Sequence, residues 1–145
     1  MTKGQASPTT EPDWEGSKLT PDGPGVAPFR PLEMALSAGA NFIARAFSGN
    51  PNQLSGLIAE GIRHPGFSLI EVISPCITYR PEQREYKQRV HDGFQPTADR
   101  REAFLNLLGD DHFALGVLYK GLAAPFDFVP APRLSIDEIE RHLVV

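Results

Sequence analysis

Asn41-Phe-Ile-Ala-Arg-Ala-Phe47, then Pro51 to His64, then Phe67-Ser-Leu-Ile-Glu-Val-Ile-Ser74 form the stretch on which the fold turns. The outer two runs are apolar and strand-like, and the middle one has helical periodicity. Leu54, Leu57, Ile58, Gly61 and Ile62 recur at i, i+3, i+4, i+7 and i+8, the spacing that lines one face of a helix. Asn50 stands as an N-cap before Pro51, whose missing N–H costs nothing in the first turn, and His64-Pro65-Gly66 stops the helix. The flanking runs are apolar throughout rather than alternating, which suits parallel strands covered on both faces. The stretch therefore predicts a βαβ unit over 41–74, within an α/β fold with a mostly parallel sheet, delivering Cys76 just past the second strand.

Upstream, Pro31 to Ala40 reads as a short helix with Leu32, Ala35 and Leu36 on one face and Gly39 as its stop. Before it, residues 1–31 are rich in Pro, Gly, Ser and Thr, a composition that builds neither helix nor central strand. Composition alone reads as a disordered tail. The alternative is an ordered loop lying over a site, to which Trp14 and Phe29, large apolar side chains uncommon in linkers, lend some support.

Downstream, Tyr79 to Val90 is charged with both signs interspersed, so it reads as a solvated helix or cover and not as a binding patch. Thr97 is placed to cap a helix with Phe104, Leu107 and Leu108 facing inward and its end near Gly109. His112 to Tyr119 reads as a further buried strand, followed by a Pro/Gly-rich passage from Gly121 to Pro132. Ser135 and Glu138 have capping-box spacing, and Ile136, Ile139 and Leu143 give a last helix its apolar stripe. About three strands are fewer than an ordinary sheet contains, so the chain reads as part of a larger one.

At 145 residues and 41% hydrophobic content the chain is long enough for one domain with a real core. A net charge of −4 and the lack of a basic stripe give no reason to expect nucleic acid as the main partner. One cysteine forms no internal disulfide, there is no charged-then-apolar leader, and no run is long enough to span a bilayer. These features predict a cytoplasmic protein without membrane attachment.

Sites are sparse. His64, His91, His112 and His142 are scattered with no metal-ligand spacing, and no Gly-rich phosphate loop joins a strand to a helix. No catalytic set can be argued from spacing. Cys76 follows a strand and precedes a loop, where a thiolate can reach a ligand; a free cysteine is also commonly just a small buried side chain.

Met1-Thr-Lys-Gly-Gln-Ala-Ser-Pro-Thr-Thr10, Pro31 to Gly49, and Ile62 to Tyr79 resemble, in order, the later half of the beta subunit of 2-oxoacid:ferredoxin oxidoreductases, especially the 2-oxoglutarate type. Phe113 to Lys120 and the proline-rich stretch after it resemble that family's C-terminal extension more loosely. The resemblance implies a partial thiamine diphosphate-binding fold: 1–30 as the loop after the cofactor motif, 31–80 as the end of the cofactor-binding domain, and 81–145 as the extension. It implies oxidative decarboxylation of a 2-oxoacid, with the acyl group passing to coenzyme A and electrons passing through iron–sulfur clusters to ferredoxin. Partners implied are an alpha subunit, with a gamma subunit in some assemblies, and ferredoxin.

Residue by residue, the resemblance implies that Thr2, Gly4 and Gln5 lie beside the magnesium–diphosphate motif. It implies that Lys3 presents a cation to the substrate's distal carboxylate, and that Cys76 supplies one thiolate to a [4Fe–4S] cluster. The family's Gly-Asp-Gly, its following Asn and three further cluster cysteines fall upstream of Met1, which stands where the family has an internal hydrophobic residue. That pattern suggests an internal methionine taken as a start, a split gene or a fragment, and implies a chain that is inactive alone. The competing expectation is a non-catalytic α/β module that docks on a partner subunit, with Cys76 as inert packing.

Overall fold

The computed structural model describes residues 4–122 and 135–143. Met1, Thr2, Lys3, most of the Pro/Gly-rich passage after Gly121, and the side chains of His142 and Leu143 lie outside the described residues.

The βαβ unit forms where periodicity places it: β1 (Phe42–Phe47), α2 (Pro51–Arg63) and β2 (Ser68–Ile73), preceded by α1 (Pro31–Ser37). The strands run parallel with Arg45 opposite Glu71. Asn50 caps α2, its side chain accepting from the Gln53 N–H at 3.3 Å, with Pro51 in the first turn. α1 ends as its sequence requires. Gly39 sits at φ 90°, and the N–H groups of Ala40 and Gly39 return to the carbonyls of Ala35 and Leu36 at 2.9 and 3.3 Å, a Schellman closure.

After β2 the chain makes a 3₁₀ turn (Pro81–Glu85), a short α3 (Tyr86–Arg89), a two-residue β3 (His91–Asp92), α4 (Arg100–Leu108) and β4 (Ala114–Lys120), with α5 (Ile136–Leu143) after the passage not described. The sheet order is β2-β1-β4-β3. β1–β2 and β3–β4 are parallel, while β4 runs antiparallel to β1. A register shift sets Ile43 opposite Tyr119 but Ala44 opposite Val117, so Leu118 is an extra, bulged residue. The bulge lets Leu118 and Tyr119 both reach the same side of the sheet.

Helices pack on both faces of the sheet, giving two apolar clusters. On one face Ile43, Leu118 and Tyr119 meet Leu32, Ala35 and Leu36 of α1 and Ala103 and Leu107 of α4. Phe42, Ala44 and Ala46 meet Leu57 of α2 on the other. Gly61 lets α2 approach the sheet closely, since a Cβ there would lie 2.9 Å from the Ile70 side chain. Arg100 ties α4 to α1 by donating to the carbonyls of Leu36 and Ala40, with its guanidinium over the Tyr119 ring.

Several expectations shift. The cap of α4 is Asp99, which accepts from the N–H groups of Arg101 and Glu102 at 2.8 and 3.2 Å; Thr97 stands two residues earlier, bonded to Asp99 N–H and Glu102. Phe104 and Leu108, expected inside, are exposed, and Ala103 takes their place beside Leu107. β1 is buried along its whole length, but β2 is half-exposed, and Ile58 and Ile62 of the α2 stripe are exposed as well. The capping box of α5 forms, Ser135 N–H donating to the Glu138 carboxylate at 2.7 Å and Glu138 N–H to the Ser135 hydroxyl at 3.3 Å.

Candidate functional site

The carboxyl ends of parallel β1 and β2 are where an open α/β sheet collects ligands. Phe47 ends β1, and Pro75, Cys76 and Ile77 follow β2; a cleft there is lined by Phe47, Pro75, Ile77, Gln83 and Lys87. Cys76 is a free thiol, half-buried. Its backbone is fixed on both sides. The Cys76 N–H donates to Gln83 Oε1 at 2.7 Å, and its carbonyl accepts from the N–H groups of Tyr79 and Arg80 at 3.2 and 2.8 Å. Gln83, buried in the 3₁₀ turn, thereby locks the turn that Cys76 opens.

The beginning of the described chain meets that turn. Gly4 is buried at φ 70°, and a Cβ added to it would lie 3.1 Å from the Tyr79 ring, so the Gly4 backbone rests on that ring. Gln5 is exposed. Thr2 and Lys3 lie outside the described residues. Of the five residues singled out in the sequence, Gly4 and Cys76 are thus brought to opposite ends of one short turn.

Residues 4–29 of the Pro/Gly-rich segment fold into a series of turns, where composition alone read as a disordered tail. Thr10 N–H reaches Ser7 O at 3.0 Å, Gly25 N–H reaches Pro12 O at 3.1 Å, and Phe29 N–H reaches Pro8 O at 2.7 Å. Its Glu11 carboxylate accepts from Arg80 at 2.5 Å, and the Arg80 guanidinium lies 4.9 Å from the Trp14 ring centroid. Burial on its own would raise the Glu11 pKa. The hydrogen bond from Arg80 and the positive field of Arg80 and Arg89 outweigh it and hold the carboxyl below its ordinary 4.5. Arg80 and Gln83, both buried and bonded to this turn, were not legible in the sequence because they sit inside a run whose charges read as a solvated face.

A second polar cluster lies under the sheet. Arg45, in the middle of β1, donates to Glu71 at 2.6 Å, to Asp110 at 2.5 Å and to the Ala114 carbonyl at 3.3 Å, with Phe94 beneath it. The signal was available: one charged residue in each apolar strand run, at positions that parallel pairing sets opposite. The histidines are apart from one another in role. His64 Nε2 lies 3.0 Å from the Gly121 carbonyl, His91 pairs with Asp111, and His112 sits at φ 67° near Asp110. Among the described residues no group of three or more His, Cys, Asp and Glu is placed to hold a metal ion. Nor is any helix among them long and apolar enough to cross a membrane.

No family model matches the chain. It is 32% identical over 136 residues to subunit beta of 2-oxoacid:ferredoxin oxidoreductase 2 from Aeropyrum pernix, covering 82% of this chain and 43% of that protein. The proteins it resembles are beta subunits of 2-oxoacid:ferredoxin oxidoreductases. The 2-oxoglutarate synthase subunit KorB of Methanothermobacter thermautotrophicus is 42% identical over 79 residues, 54% of this chain and 27% of KorB. A solved 2-oxoglutarate:ferredoxin oxidoreductase from Magnetococcus marinus, with 2-oxoglutarate, coenzyme A and succinyl-CoA bound, matches with a TM-score of 0.72 at 31% identity. That match covers 86% of this chain and 44% of that one. The chain thus spans about half the length, or less, of these relatives. The similarity to the oxidoreductase subunits extends past Tyr79, since a share as large as 82% is not confined to residues 1–80.

Proposed function

We propose that this chain is the carboxyl-terminal portion of a 2-oxoacid:ferredoxin oxidoreductase beta subunit, of the type that takes 2-oxoglutarate to its acyl-CoA and passes electrons to ferredoxin. The likeness to the 2-oxoglutarate:ferredoxin oxidoreductase structure over most of this chain is the observation that carries the reading. The sheet supports it. Among the described residues β2 pairs on one side with β1 and on the other with nothing, and Ile62, Phe67 and Val72 are exposed nearby. An apolar strand with a free edge is completed by another strand, and the relatives hold as much chain again.

The donor set limits what the chain does by itself. A [4Fe–4S] cluster takes four thiolates and the sequence has one cysteine, so this chain's residues do not fit a whole cluster. Cys76 contributes one ligand, and the other three come from the part of the subunit that the relatives carry and this chain does not span. Thr2, Gly4 and Gln5 border thiamine diphosphate and its Mg2+, whose main ligands come from that same part. We assign Lys3 to the distal carboxylate of the substrate, a role that a compact ammonium charge suits. The alpha subunit, and a gamma subunit where present, complete the assembly, which takes up coenzyme A and reduces ferredoxin in the cytoplasm. The chain alone is inactive.

The test joins this chain to the amino-terminal half of a relative's beta subunit together with its alpha subunit. Ferredoxin reduction that requires both 2-oxoglutarate and coenzyme A, and that neither half supports alone, is the expected result. Stable association without turnover, in an assembly that a relative's own carboxyl-terminal half makes active, identifies a docking module instead.

A further inference from the structure

The segment from Gly4 to Phe29 contains no strand and no helix, yet it is folded against the turn that follows β2. Its internal bonds are turns, which shape it without attaching it to anything else. Among the described residues, its hydrogen bond and ring contacts to the later chain run through residues 79 and 80. The Gly4 backbone rests on the Tyr79 ring, and Arg80 reaches across 69 positions of sequence to Glu11.

Arg80 serves both sides at once. Its side chain is largely buried, with Nη1 donating to Glu11 at 2.5 Å, Nε donating to Glu82 at 2.7 Å, and the guanidinium plane over Trp14. Its own backbone N–H donates to the Cys76 carbonyl at 2.8 Å, and its carbonyl accepts from the Gln83 N–H at 3.0 Å, while Gln83 holds the Cys76 N–H. One residue therefore carries the loop with its side chain and the cysteine turn with its backbone. The fork-shaped, planar guanidinium is what allows two carboxylates and an indole face to be met together; an ammonium group offers a point charge without the plane.

We propose that Arg80 is a positioning residue, the clasp that sets the loop following Gly4 in register with the Cys76 turn, so that order in the loop and order in the Cys76 turn rise and fall together. Its functional weight rests on the reading of Cys76 above: the cluster-side thiolate sits in a turn that this one side chain ties to the loop. Loss of the clasp frees the loop first, because no ladder of strand or helix bonds holds it elsewhere.

The chain contains one tryptophan and one cysteine, and they report the two sides separately. In the isolated chain, Arg80→Met is expected to shift Trp14 emission to the red and speed proteolysis within residues 7–30. It is also expected to raise the rate of Cys76 labelling by a thiol reagent on the order of fivefold, the change that losing a half-exposed ion pair and a cation–π contact produces. Far-ultraviolet circular dichroism should stay as in the parent. Arg80→Lys should restore neither reporter fully. If Arg80→Met does not fold, Glu11→Gln carries the test, since it removes the loop's partner and leaves the Cys76 turn intact in sequence; it should move both reporters the same way by a smaller factor. Unchanged emission and labelling in the folded variants, or full rescue by lysine, overturn the clasp. Neither reporter needs cofactor, cluster or partner subunit, so a failure here leaves the proposed function standing, and absence of turnover leaves the clasp standing.

Discussion

Replacing Arg45 with methionine, which fills a similar volume without charge, isolates the polar cluster beneath β1. Asp110 has a side chain 1% exposed, and among the described residues its Oδ1 has no hydrogen-bond partner, so Arg45 at 2.5 Å is its principal counter-charge; His112 is 3.8 Å away. Glu71 is 25% exposed and can turn toward water, so its loss is small. Stranding a buried carboxylate by removing its partner costs about 3–5 kcal/mol. Uncovering the Ala114 carbonyl adds about 1 kcal/mol. A total of about 4–6 kcal/mol is a large part of the roughly 5–15 kcal/mol that holds an ordinary domain folded. Urea unfolding followed by circular dichroism should show Arg45→Met with a much lower midpoint and an unchanged slope. Adding Asp110→Leu should recover most of the loss, because an apolar replacement of both partners leaves no charge buried. A loss below about 1 kcal/mol for Arg45→Met, or no recovery in the double variant, refutes the reasoning, since a stranded buried charge is not that cheap.

Three further expectations concern the capping, the loop and the substrate. Asp99→Ala should cost about 1 kcal/mol of stability in urea unfolding, more than Thr97→Ala, because the Asp99 carboxylate holds two first-turn N–H groups of α4. The Glu11 carboxyl is held below 4.5 by Arg80, so its contribution is complete above the unfolded pKa and disappears as pH falls through the lower folded value; Trp14 emission should shift red in that acid window in the parent and not in Glu11→Gln. In the completed enzyme Lys3→Ala should lower 2-oxoglutarate turnover far more than pyruvate turnover, and equal losses would remove the distal-carboxylate role.

What could be read from residue order was what local chemistry encodes. The α2 helix announces itself through Asn50, Pro51 and an apolar stripe, and α5 through the Ser135 and Glu138 pair; both signals act within one turn of chain. Thr97 and Asp99 are both competent caps two residues apart, and the choice fell to the one whose carboxylate reaches two N–H groups. The direction of β4 was not legible, because an antiparallel neighbour and a parallel one present the same apolar run, and the bulge at Leu118 depends on β1. Ile58 and Ile62 share the periodicity of Leu57 yet stay exposed, as periodicity names a stripe and not how much of it is covered. The tie between the Pro-rich segment and the turn after β2 was hidden for a similar reason: Arg80, which donates to Glu11, is distant in sequence and looks like one more surface charge. At the site, the position of Cys76 past β2 was readable from strand punctuation, whereas Gln83 and Gly4 converge on its turn through contacts that no spacing rule describes.

The central claim is that Cys76 is one of four cluster thiolates shared between this chain and the rest of a beta subunit. Its most direct measurement is the visible iron–sulfur absorbance, with iron content, of this chain assembled anaerobically with the amino-terminal half of a relative's beta subunit, compared between the parent and Cys76→Ser. The account predicts colour and bound iron in the assembled parent and a marked loss of both in the variant. Full colour and iron retained in Cys76→Ser would contradict it.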